Sequence, residues 1–161
     1  MSDALEPWHD FFIATAGVVA ALAGLLFVSV SINLARVLEL PQLPVRALEV
    51  LVQFGFVLVT ACVVLTPSQP AWLAGAELAA AATATWLALA YGLFATRQFR
   101  AHPRYMLRVI SNQVPPIPFV IAGVTLAAGH PVGLYALLPG TVLAIASGLL
   151  GAWTLLVEIQ R

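Results

Sequence analysis

Between Asp10 and Arg36 the chain carries no charged side chain, and four further apolar runs almost as clean follow it. A helix rising 1.5 Å per residue crosses about 30 Å of hydrocarbon in roughly 20 residues. Inside hydrocarbon every backbone N–H and C=O must be bonded within its own segment, which leaves the helix as the natural form for such runs. The expected fold is therefore all-α: a polytopic transmembrane bundle forming one domain over residues 1–161, with helices at about 11–34, 48–66, 72–94, 109–128 and 134–157. Composition agrees, since 61% hydrophobic and 9% charged residues lie far from the usual half apolar and quarter charged.

Orientation comes from the arginines. Four of the seven, Arg97, Arg100, Arg104 and Arg108, cluster between the third and fourth runs, and basic loops stay cytoplasmic. Five spans then place the acidic N-terminus outside, the Ala35–Ala47 connection and the C-terminus inside, and every arginine on the cytoplasmic side. The alternative, four spans with 109–128 re-entrant, strands Arg161 outside. It arises because that segment opens with Ser111, Asn112 and Gln113 and then carries Pro115, Pro116 and Pro118. Pro103 is expected to break the arginine stretch into two short amphipathic pieces that contact anionic head groups, with a cytoplasmic partner as the second reading.

Met1 to Asp10 has three acids and no Lys or Arg, the wrong charge for a signal peptide, so the first run is expected to be a retained helix. Cys62, the single cysteine, is expected to be a small buried hydrophobe. Two ladders of small residues allow close helix approach: Ala14, Gly17, Ala21 and Gly24 in the first helix, and Gly140, Ala144 and Gly148 in the fifth. Internal packing is the favoured use of the first ladder, a homodimer contact the other.

Polar residues fall into two layers. His9, Asp10, Glu77 and His130 should share a depth on the outer side, where imidazoles and carboxylates could hold a cation or relay protons; Glu77, about 7–8 Å inside Trp72, is the strongest of them because intramembrane acids are costly. Interface anchoring is the simpler explanation, and the identity of any metal stays open. Asn33, Gln53, Asn112 and Gln113 form an inner layer explained by cross-helix hydrogen bonds. Arg46 is expected to pair with Glu49 at the water boundary, and Glu158 to end the chain in water.

There is no H-E-x-x-H, C-x-x-C, phosphate-binding loop or G-x-G-x-x-G, so the residues ask for no cofactor and no enzyme. The basic residues are too local for nucleic acid. The strings WHDFFIATAG (Trp8 to Gly17), GLLF (Gly24 to Phe27) and SINL (Ser31 to Leu34) resemble the opening of a family of small bacterial integral membrane proteins, some labelled modulator of the membrane protease FtsH. That resemblance covers mainly the first helix and implies an inner-membrane location with no active site to carry over. The leading expectation is a non-enzymatic inner-membrane protein that binds or regulates another membrane component or a second copy of itself, with the small-residue faces of the first and fifth helices as contacts and the arginine loop as the cytoplasmic handle. The alternative is a small cation or proton channel or carrier using Glu77 with His9, Asp10 and His130.

Overall fold

The computed structural model describes residues 5–97 and 105–159, and these contain no strand. Among the described residues seven α-helices follow one another: α1 His9–Ile32, α2 Leu34–Glu39, α3 Leu43–Leu65, α4 Ala71–Ala95, α5 Tyr105–Gln113, α6 Pro116–Ala127 and α7 Leu137–Ile159. Counting α5 and α6 as one broken rod, five helices are long and apolar enough to cross a membrane.

Each boundary has a local cause. Asn33 leaves the helical region (φ −104°, ψ 20°), its backbone N–H and its side-chain Nδ2 both donating to Ser29 O, and so α1 stops. The short α2 that follows ends at extended Leu40, ahead of Pro41. α3 begins at Leu43, five residues before the expected start, because Pro44 falls in its first turn, where a missing N–H costs nothing. Arg46, expected in the connection, thereby lies in the first turn of the helix, and Glu49, expected at its opening, lies in the second. Thr66 is extended before Pro67. Gly129 takes φ 85°, with its N–H on Leu126 O and the N–H of His130 on Thr125 O, the paired bonds that satisfy the last carbonyls of α6.

The break in the fourth rod is a chain of missing donors. Pro115 and Pro116 cannot donate to Ser111 O and Asn112 O, the carbonyls four residues earlier, so the ladder lapses there. It resumes through a tighter bond from Ile117 N to Val114 O at 3.2 Å. α5 and α6 still make one rod long enough to cross.

α3 is the hub, packing against α1, α4 and α7, while the most extensive contact of all joins α4 to α6. There Gly75 and Ala79 of α4 meet Gly123 and Ala127 of α6. A Cβ at Gly75 would lie 2.7 Å from Gly123 O, and one at Gly123 would lie 2.8 Å from Gly75 O, so the two backbones touch. Gly140 against Phe119 and Gly148 against Phe54 place the α7 ladder inward, where it packs the bundle and is not open to a partner. The α1 ladder is not inward. Ala14, Gly17, Ala21 and Gly24 are all exposed, and nothing lies within 4 Å of a Cβ built at either glycine. The reason is competition for the core: Phe12, Val19 and Leu26 offer more contact area, and they take the face that meets α3. Cys62 is likewise exposed rather than buried.

Gly75→Val and Gly123→Val are each expected to destabilise the bundle by about 2–3 kcal/mol through overpacking. Thermal unfolding in detergent, followed by helical circular dichroism, measures this.

Candidate functional site

The antiparallel run of the helices gathers the start of α3, the end of α4, all of α5 and the end of α7 at one end of the bundle, called here the arginine end. Its centre is Glu49, which is 6% exposed. Both carboxylate oxygens accept from Arg108 of α5, Nε to Oε2 at 2.9 Å and Nη2 to Oε1 at 2.6 Å. This two-point fork is the strongest geometry an arginine and a carboxylate can adopt. Gly92 of α4 makes the space: a Cβ there would stand 2.6 Å from Glu49 Oε1.

One turn along α3, Gln53 donates from Nε2 to Ser111 O at 3.0 Å and to Asn112 Oδ1 at 3.1 Å. Ser111 O is the carbonyl that Pro115 leaves without a helical donor, so a side chain of α3 repairs the ladder of α5. On the other flank Arg46 Nη1 pairs with Glu158 of α7, and Arg46 Nη2 donates to Thr154 Oγ1 at 3.3 Å. Arg46 therefore does not pair with Glu49, and Glu158 is not left in water. Arg108 has no carboxylate on its own helix, and Glu49, three residues from Arg46, already has both oxygens engaged by Arg108.

Between these groups lies a cleft of about 40 Å³, lined among others by Arg46, Glu49, Gln53, Arg108, Asn112 and Ser147. A water needs roughly 10–15 Å³ on this measure, so the cleft has room for a few waters. Gln53 Oε1 and Asn112 Nδ2 are buried without a protein partner, one an acceptor and one a donor, which suits water. The chemistry on offer is charge pairing and hydration.

The expected site residues divide accordingly. Of the inner layer, Gln53 and Asn112 meet; Asn33 is spent on Ser29 O of its own helix, and the half-buried Gln113 keeps an unpaired Nε2. Of the arginine stripe, Arg100 and Arg104 lie outside the described residues. Arg97 is exposed with its guanidinium 4.5 Å from the centre of the Phe94 ring. Arg108 is not a head-group contact, since its side chain is only 12% exposed and bound to Glu49. On the outer side Glu77 is exposed, accepting from Gln69 Nε2 at 2.6 Å, so it does not face the bundle interior. Asp10 and His130 are exposed and His9 half-buried. Among the described residues no group of three or more His, Cys, Asp or Glu side chains could hold a metal ion, so these four are not assembled as a ligand set.

Sequence reasoning gave Glu49, Arg46, Ser111 and Glu158 no part in a site. Two signals pointed to them: Glu49 and Gln53 four residues apart on one face, and a proline placed four residues after Ser111. No family model, no curated protein and no solved structure matches the chain.

Glu49→Ala and Arg108→Ala are each expected to cost about 3–5 kcal/mol, because each strands a buried charge, whereas Glu49→Leu combined with Arg108→Met should recover most of that loss. Gln53→Leu should cost about 1–3 kcal/mol by orphaning Ser111 O. Unfolding of the single and double variants in one detergent checks both statements.

Proposed function

We propose that the chain is a multi-pass protein of a bacterial inner membrane, crossing five times with its N-terminus outside and its arginine end in the cytoplasm, and that it binds or regulates another membrane component through the outward face of α1. The observation that carries this reading is the exposure of Ala14, Gly17, Ala21 and Gly24 on a helix attached to the bundle mainly along α3. In lipid there is no hydrophobic drive between helices, so close approach over small residues is what brings them together. Steps of three, four and three residues suit a shallow crossing of about 20°, with the partner helix nearly parallel to α1 or antiparallel to it.

The membrane part of the proposal is supported by the outward surface. Leu25, Phe27 and Ile32 of α1 are 68%, 64% and 78% exposed, a poor surface for water. Trp72, Tyr91, Tyr135 and Trp153 are exposed near helix ends, where amphipathic rings suit the interface. The resemblance of the first helix to bacterial membrane proteins supports the choice of membrane. A cation or proton path over Glu77 has less to rest on, because that carboxylate is exposed and tied to Gln69.

Two measurements test this. In a Cys62→Ala background, cysteines introduced beside Asp10 should react with an impermeant thiol reagent in intact cells, and cysteines beside Tyr105 only after lysis; the reverse pattern overturns the orientation. Gly17→Leu with Gly24→Leu should leave the unfolding temperature unchanged, since both positions are exposed and nothing lies within 4 Å of a Cβ built at either. The same pair should abolish any complex trapped by crosslinking in native membranes. A complex that survives both substitutions is made elsewhere.

A further inference from the structure

Three helices line the polar cleft at the arginine end, and α5 is held there differently from α3 and α7. Its apolar side chains face away: Met106, Leu107 and Ile110 are 68%, 49% and 54% exposed, and Asn112 is its one buried residue. The bonds that tie it to α3 are the fork from Arg108 to Glu49 and the two bonds from Gln53 Nε2. Water at the end of the bundle can replace bonds of this kind, as it cannot replace a hydrophobic contact. The match between the two helices is also incomplete. Gln53 gives both amide protons away, so its own Oε1 and the Nδ2 of Asn112 are left over, buried and without partners. Turning Gln53 over would set Oε1 against Ser111 O, acceptor against acceptor, and turning Asn112 alone would set donor against donor. Gln113, the last residue of α5, buries an unpartnered Nε2 as well. At that end the chain is jointed, because Pro115 and Pro116 withhold two consecutive donors and the bond from Ile117 N to Val114 O spans the gap.

We propose that α5 is a hinged lid, closed in this structure, which pivots at residues 114–116 and bares Glu49, Gln53 and the cleft to water at the arginine end. Two opposing terms set its position. The charged fork holds the lid shut, since it is the strongest of the bonds to α3. The three orphaned amide atoms favour opening, because each is desolvated without return while the lid is closed and each is hydrated once it opens. Glu49, Arg108 and Ser111 O also meet water in the open position, so opening strands no charge in a dry interior. The fork is thus the latch and the proline pair the hinge. Weakening the fork shifts the lid toward open; restoring the backbone ladder across the prolines makes α5 and α6 one stiff rod and shifts it toward closed.

The test uses the whole chain in phosphatidylcholine nanodiscs. With Cys62→Ala as background, Ser147→Cys sets a thiol on the α7 wall of the cleft, and its rate of reaction with a charged, water-soluble methanethiosulfonate reads how often water reaches that wall. Arg108→Lys keeps the charge and loses the fork, and should speed the reaction roughly tenfold. Pro115→Ala with Pro116→Ala returns a donor to Ser111 O and to Asn112 O, and should slow it roughly tenfold. General loosening of the bundle would speed the reaction in both variants, so opposite shifts are the signature of a lid. Equal rates in all three chains, or a faster rate in both variants, overturn the proposal. Hydrogen exchange on the unsubstituted chain gives a second reading that needs no variant to fold. The amides of α5 should exchange roughly tenfold faster than those of α6, because a nine-residue helix released into water does not keep its own bonds. Equal protection of α5 and α6 also overturns the lid.

Discussion

The carboxylate of Glu49 constrains this bundle more than any other group. A buried charge is tolerable only when its partner is close, correctly oriented and itself held in place. Here that demand reaches three helices: α3 carries the acid, α5 brings the arginine to it in a two-point fork, and α4 must present a glycine where any side chain would collide. Gln53, one turn further on, holds the same α5 by the carbonyl that Pro115 leaves free. Proline and glutamine are thus complementary: one opens a backbone bond, the other closes it from a neighbouring helix, and α5 cannot swing away without exposing both a charge and an orphaned carbonyl.

Small residues do two different jobs in this chain. Gly75 and Gly123 put two backbones in contact, and Gly92, Gly140 and Gly148 each receive a side chain from another helix. Gly17 and Gly24 receive nothing. The spacing of small residues looks alike in α1 and α7, because spacing records only that a face is bare. Whether that face turns inward depends on what the rest of the helix offers the core, and in α1 the row of Phe12, Val19 and Leu26 outweighs the bare one.

How much was legible follows the range of the interaction involved. The five long apolar rods, the stop at Pro67 and the troubled passage around Pro115 could be read from the chain, since each depends on residues a few places apart; the short α2 was not. The approximate depth of Gln53 and Asn112 was also readable, because alternating spans put them at the same end. The partners were not. Arg46 and Glu49 stand three residues apart and invite pairing, yet they meet Glu158 and Arg108, residues 112 and 59 positions away in sequence from their respective partners. Glu77 invited a buried role by its depth, but helical phase turned it to the surface, where Gln69 of the preceding turn reaches it.

Apolar runs long enough to cross a bilayer, with proline and glycine near their ends, were enough by themselves to determine that this chain is helical and roughly where its long rods lie, since those are matters of backbone bonding over a single turn. Alternation of the rods also put the start of α3 and the end of α7 at one end. Tertiary structure alone decided which face of each rod is buried, which acid meets which base, and that one bare helix face is left on the outside. Those outcomes depend on several rods competing for the same limited core, and no stretch of sequence contains that competition within itself.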